Sequence, residues 1–348
     1  MERKRLSDIA WNVSEEVYRN DPALSYSTLA KYERGGFDSL PTLFDKVESP
    51  SLLFGSVVDT LVTGTPEEFD ERYKVLDLPK MSDSLLEIAN MLYERFGSVF
   101  HSFDDLEDDI LASVGAECNY YSGDSYKATR VKNIKKSCKE YYDALASAEG
   151  KQVISTELYV DASRCVEALK ESKATSWLFA KDTDKKETYF QLKFKSEYNG
   201  IDLRCMADCI VVDHITKTIY PFDLKTSSKP EYMFYKSFIQ WSYMIQAQLY
   251  WYIIRKNMDN DPIYKDYKLA DYTFIVVNRN TLTPLTWTFK DTTATEDLVY
   301  GDIKCRNWRK IAEELNYYLT AENVIVPRGI TLLVPNDIVG WLMKDSNT

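Results

Sequence analysis

Two kinds of hydrophobic spacing divide the chain. From Thr188 onward the pattern has period two. Thr188-Tyr189-Phe190-Gln191-Leu192-Lys193-Phe194-Lys195 alternates, Asn199-Gly200 signals a tight turn, and Ile201 to Val212 returns as a second strand. The polar link Asp213 to Thr218 leads into a third strand, where Tyr220, Phe222 and Leu224 alternate with Pro221, Asp223 and Lys225. A helix is predicted from about Ser237 to Lys256. Strands follow over Tyr272–Val277 and Leu285–Phe289, joined by Asn278 to Thr283, and then a last helix over Thr295–Leu319. Before residue 186 the spacing is helical. Helices are predicted from Ser25 to a break at Gly35-Gly36, from Pro50 to a stop at Thr63-Gly64-Thr65-Pro66, over 84–98, along the basic run 126–139, and over Ser155–Lys173. This order predicts an α/β fold, a mixed sheet flanked by helices, with 65–185 as a mainly helical insertion.

The third strand carries the candidate chemistry. Asp223 and Lys225 are two residues apart, so they share a face at about 6–7 Å along the strand. A carboxylate suits a hard cation, and an ammonium beside it can orient an attacking water. The triplet alone is uninformative, because acid-x-Lys recurs at Glu2, Glu149, Glu171, Asp184, Asp266 and Asp302. Context selects Asp223: the preceding strand places a lone acid, Asp208, among Met206, Ala207, Cys209, Ile210 and Val211. A carboxylate is costly to bury without a partner, so Asp208 is expected beside a cation or a donor. Glu187, just before the first strand, is either a further metal-side acid or an exposed edge glutamate.

An acid, a hairpin and then acid-x-Lys resembles the PD-(D/E)xK nuclease superfamily. The following segment, Gln246 to Tyr250 within Gln240–Tyr250, is similar to the Q-x-x-x-Y helix of its RecB-like branch, and spacing by four puts both side chains on one helix face. Gly55-Ser56-Val57-Val58-Asp59 and Glu67-Glu68-Phe69 resemble the G-x-x-x-H helix and acidic segment of exonuclease VIII-type phage and prophage nucleases, with Asp59 in the histidine's place. The resemblance implies a restriction-endonuclease-like core in a single domain over 1–348: N-terminal helices to 64, the insertion 65–185, and the catalytic sheet and C-terminal helices from 186. It implies Mg²⁺ or Mn²⁺ held by Asp208, Asp223 and the Leu224 carbonyl, Lys225 positioning the nucleophile, and Gln246 and Tyr250 ordering the site. Asp59 would be either a further ligand or a solvated helix residue. The implied activity is exonucleolytic hydrolysis of linear double-stranded DNA in the cytoplasm of a bacterial host. An annealing protein would be the partner and a homo-oligomer the assembly. An endonuclease of a defence system, or a fold that binds DNA or a partner without cleaving it, are the competing readings.

Composition narrows this further. The chain has 348 residues, 45% hydrophobic and 28% charged, an ordinary globular balance. Its longest apolar runs fall short of a membrane span, and Met1 to Arg5 precedes no apolar signal core. A net charge of −11 argues against a basic coat and leaves room for a local groove. The richest basic run, Lys127, Arg130, Lys132, Lys135, Lys136 and Lys139, is either a solvated face or a phosphate-contacting one. The six cysteines show no C-x-x-C spacing and are expected as buried free thiols, with no iron–sulfur cluster.

Overall fold

In the computed structural model, which describes residues 4–45 and 47–320, the chain forms two compact units. One joins the N-terminal part up to Gly55 with everything from Cys165 onward; the other is Ser56–Arg164. Among the described residues, the segments before Ser56 and after Arg164 thus contribute to the unit that carries the sheet.

The first unit begins with α1 (Glu15–Asn20), whose N-cap Ser14 accepts from the Val17 amide at 3.2 Å. Next come α2 (Tyr26–Gly35), stopped where Gly36 adopts φ +55°, and α3 (Pro50–Thr63), in which the unit boundary falls. The Ser56–Arg164 unit continues with α4 (Pro66–Arg72), opened by a reciprocal Thr65–Glu68 capping box. It then holds β1 (Tyr73–Val75), α5 (Asp83–Phe96), α6 (Asp108–Glu117), α7 (Lys127–Ala146) and β2 (Gln152–Ile154), which pairs parallel to β1. Ile88, Leu92, Leu111, Ile134 and Tyr142 form its apolar core. Gly115 lets α6 approach α7 closely, since a Cβ there would lie 2.7 Å from Ile134 Cδ1. The helix α8 (Thr156–Glu171) leads back to the first unit.

There the period-two segments become β3 (Lys186–Tyr198), β4 (Ile201–Asp213) and β5 (Thr218–Thr226), all antiparallel neighbours. Asn199 and Gly200, both at positive φ, make the expected tight turn. After β5 the chain runs through α9 (Phe234–Gln240), α10 (Tyr243–Asp259) and the short β6 (Lys268–Leu269), which pairs with the start of β5. The crossover lets β7 (Thr273–Val277) lie parallel to β5, and β8 (Leu285–Thr288) returns antiparallel to β7. The sheet order is β3-β4-β5-β7-β8, with β5 in the middle. Phe194, Ile210, Ile219, Leu249, Ile253 and Phe274 belong to the core that joins the sheet to α10.

Two predicted helices differ from what forms. The Ser237–Lys256 helix is broken by Ser242 at φ +56°, which separates α9 from α10. The Thr295–Leu319 helix is replaced at its start by a hairpin of β9 (Leu298–Tyr300) and β10 (Ile303–Cys305), turning at Gly301 with φ +60°. Only then does α11 (Trp308–Thr320) begin, where Asn307 Oδ1 accepts from the Arg309 amide at 3.1 Å. The β1–β2 pair lies in segments with no strand pattern. Among the described residues the six cysteines are free thiols, five of them buried, and no helix is long and apolar enough to cross a membrane.

Candidate functional site

The site lies where β4 and β5 part. Their register runs from Asp213↔Thr218 to Cys209↔Phe222, and one further step would set Asp208 opposite Asp223. On the other side of β4 the register passes from Phe190↔Cys209 to Leu192↔Ala207, stepping over Gln191 and Asp208. Gln191 there adopts φ +53°, a costly backbone state for a residue with a side chain. Both ladders flanking β4 therefore open at Asp208. Its Oδ2 takes the Leu224 amide at 2.9 Å, a side chain substituting for a ladder acceptor.

Asp223 is only 1% exposed. Its Oδ2 lies against the Lys225 ammonium, and its Oδ1 accepts from Gln246 Nε2. The period-two expectation that Asp223 and Lys225 share a strand face holds. Burial pushes the Asp223 carboxyl above its ordinary value; Lys225 and the hydrogen bonds from Lys225, Asp208 and Gln246 oppose that only in part. Burial alone would lower Lys225, but the Asp223 charge outweighs it and holds the side chain as an ammonium. The Lys225 Nζ also sits 4.7 Å from the Tyr243 ring centroid, a cation–π contact.

Tyr250, one turn beyond Gln246 on α10, is buried 6.1 Å from the Tyr272 ring. Burial raises both phenols, and the charges of Asp223 and Asp208 add to this. The Tyr272 hydroxyl and the Gln246 Oε1 are buried with no hydrogen-bond partner, so polar capacity remains around the carboxylates. At the far end of β5, α3 comes close: a Cβ on Gly55 would lie 3.3 Å from Thr226 Oγ1.

Several candidates lie elsewhere. Glu187 pairs with Val212, four residues along β4 from Asp208, or about 13 Å at strand rise. Its carboxylate takes the Tyr189 hydroxyl and lies 3.4 Å from His214 Nε2, so Glu187 is not part of the Asp208–Asp223 cluster. Asp59 is half-buried in the Ser56–Arg164 unit, where its carbonyl accepts from Thr63 Oγ1 at 2.9 Å. The basic run on α7 is largely engaged with the acidic stretch before it. Lys127 pairs with Asp109 at 2.8 Å, Lys135 with Asp108 at 2.5 Å, and Lys139 with Asp104. Arg130 is buried and donates to the Tyr121 carbonyl, which removes it from any phosphate-contacting face. Lys132 and Lys136 are exposed. Among the described residues no group of three or more His, Cys, Asp or Glu side chains is gathered as at a metal centre. The cluster offers two carboxylates.

Sequence reasoning missed Gln191, Tyr243 and Tyr272. The register of β3 against β4 and of β5 against β7 brings Gln191 and Tyr272 to the site, and neither register is written in a local pattern. No family model matches the chain, and no curated protein does. Among solved structures, the chain is similar to the crystal structure of a putative exonuclease from Eubacterium rectale, with 12% identity over 95% of this chain and 98% of that one and a TM-score of 0.43.

Proposed function

We propose that the chain is a metal-dependent deoxyribonuclease with a restriction-endonuclease-like core, acting as an exonuclease on linear double-stranded DNA. One observation carries this reading: Asp208 and Asp223 meet at a forked strand pair, with Lys225 and Gln246 fixed on the second carboxylate. When both acids are ionised the cluster holds one more negative than positive charge. Two neighbouring carboxylates, one of them the buried Asp223 and the other the half-buried Asp208, repel unless a proton or a cation intervenes. Such a donor set fits a hard divalent cation: the two carboxylates and the Leu224 carbonyl would hold Mg²⁺ or Mn²⁺. When bound, the ion would polarise the phosphodiester and acidify a water.

The remaining work falls to the chain itself. Gln246 fixes the Asp223 carboxylate through Oδ1 and leaves Oδ2 toward Lys225. Lys225, held as an ammonium, donates to the attacking water or to a non-bridging phosphate oxygen and does not act as a base. Water adds to phosphorus, the P–O bond to the leaving strand end breaks, and the proton that the water gives up to solvent is matched by one that solvent returns to the departing oxygen. Tyr250 backs the cluster against the core and keeps bulk solvent from the buried side.

The test is linear duplex labelled at each end, incubated with and without Mg²⁺, beside covalently closed DNA. Metal-dependent shortening of the linear substrate alone is expected, and Asp223→Asn or Lys225→Ala should abolish it in folded protein. Wild-type turnover in either variant overturns the assignment. Cutting of closed DNA overturns the exonuclease mode.

A further inference from the structure

The joint between α9 and α10 presents an arrangement that the hydrolytic cluster does not use. Trp241 precedes the left-handed Ser242, and its indole is 43% exposed. The Arg34 guanidinium lies 5.3 Å from that ring, and its Nη1 donates to the Trp241 carbonyl at 3.2 Å. The same carbonyl accepts from the Tyr26 hydroxyl at 2.7 Å. The Tyr26 ring is 6.0 Å from the Tyr243 ring, which faces Lys225. A short run of contacts therefore leads from the Asp223–Lys225 pair to an exposed indole paired with an exposed cation.

The outward face continues the theme. Tyr232 and Tyr235 are three residues apart and are 66% and 49% exposed. The Lys236 Nζ lies 5.9 Å from the Tyr235 ring. Exposed aromatic faces and cations thus lie together here on a chain of net charge −11. Stacking on an indole tolerates any base, and a guanidinium beside it meets the phosphate. A base inside a duplex has no free face to offer, so this arrangement selects an unpaired nucleotide.

We propose that Arg34 and Trp241 form a binding site for an unpaired nucleotide at the end of a DNA strand, the base on the Trp241 indole and its phosphate on Arg34. The inference rests on the nuclease reading and deepens it: the frayed end is held on one side of the Lys225–Tyr243 contact while the phosphodiester reaches the carboxylates on the other. Tyr235 and Lys236 extend the path.

The test measures fluorescence anisotropy in the non-cleaving Asp223→Asn protein, with a short fluorescein-labelled oligothymidylate and, separately, a blunt duplex whose ends are closed by hairpins. Trp241→Ala should weaken oligothymidylate binding roughly ten- to a hundred-fold. Trp241→Phe should restore most of it, and closed-duplex binding should change little. Arg34→Gln should also weaken binding and reduce the slope of log affinity against log salt by about 0.7, the value for one single-strand phosphate contact. Arg34→Gln also removes its bond to the Trp241 carbonyl, so Arg34→Lys is measured beside it and each variant's melting temperature is compared with the parent's. If oligothymidylate binds and Trp241→Ala with Arg34→Gln leaves its affinity unchanged, the site is refuted and the nuclease reading stands. Equal weakening of both ligands by Trp241→Ala refutes the selection for unpaired ends. If the parent binds no oligothymidylate, the site is refuted, and the nuclease reading is decided separately by Mg²⁺-dependent shortening of the end-labelled linear duplex.

Discussion

Glu231 supplies the sharpest stability prediction. It is 1% exposed, and its carboxylate gathers four donors from the β7–β8 connection. These are the amides of Asn278 and Thr283 at 3.1 and 3.0 Å and the hydroxyls of Thr281 and Thr283 at 2.6 and 3.2 Å. Its own carbonyl accepts from Trp287 Nε1 at 3.1 Å. In Glu231→Ala the hydroxyls can turn away, but the two amides cannot. Each orphaned buried amide costs roughly 1–3 kcal/mol, and the lost side chain leaves a void, so about 3–5 kcal/mol of destabilisation is expected. Glu231→Gln keeps an acceptor for the amides and should cost about 1–2 kcal/mol. Urea unfolding at neutral pH reads both, through a shifted midpoint at unchanged slope. Burial raises the Glu231 carboxyl, but the donors outweigh burial and leave it below its ordinary 4.5. A depressed carboxylate adds stability above the unfolded-state value and loses it as pH falls through the folded one. Part of the wild-type acid destabilisation below about pH 4.5 should therefore vanish in Glu231→Gln. A Glu231→Ala protein within 1 kcal/mol of wild type would refute this account of the loop. Asn278 Nδ2 also donates to the Ser227 and Lys229 carbonyls at 2.7 and 3.2 Å, so the same variant should blur the exit of β5 and slow cleavage.

Other predictions follow from single contacts. Asp297 accepts from the Asn307 amide at 2.9 Å; this bond and Lys310 and Lys304 outweigh its burial and lower its carboxyl to about 2. Its contribution should be present above the unfolded value of 3.8 and lost between there and about 2, so Asp297→Asn should flatten acid unfolding in that interval. Changing Lys127, Lys135 and Lys139 to Gln should leave the salt slope of DNA binding intact, because their charges are spent on Asp109, Asp108 and Asp104. A flattened slope in titrations would return α7 to the nucleic-acid surface. Ser242→Val should destabilise by about 1–2 kcal/mol in thermal unfolding, because a β-branched residue resists the left-handed backbone, whereas Ser242→Gly should not.

What the sequence disclosed was mostly what lies within one element. Asp223 and Lys225 share a face because strand alternation is local, and Gln246 and Tyr250 share one because helix periodicity is local. The pairing of β3, β4 and β5 followed from short turns. Hidden were the consequences of register. Gln191 and Asp208 face each other across an opened ladder, and Tyr272 reaches the carboxylates through a parallel pairing, each set by contacts distant in the chain. The break at Ser242 was hidden as well: serine carries no left-handed preference, and the bonds from Tyr26 and Arg34 that hold Trp241 there come from over two hundred residues earlier. The basic run on α7 looked available until its acidic neighbours folded onto it.

The sheet-bearing unit has a consequence for the order in which the chain can be built. Its N-terminal part is tied to residues made long afterwards: Lys4 bonds Asp261, and Tyr32 bonds Glu314, 282 residues away. At about 5–20 residues per second, the ribosome needs roughly 15–60 s to supply that second partner. Until β4 and α10 are made, Leu24, Leu29 and Tyr32 lack the partners they bury against, while residues 56–164 are already complete and contiguous. Assembly of the two units is thus separable in time, and the chain carries its own reporter of the difference. All seven tryptophans fall outside residues 56–164, so indole emission is blind to the folding of that segment, while circular dichroism registers both units.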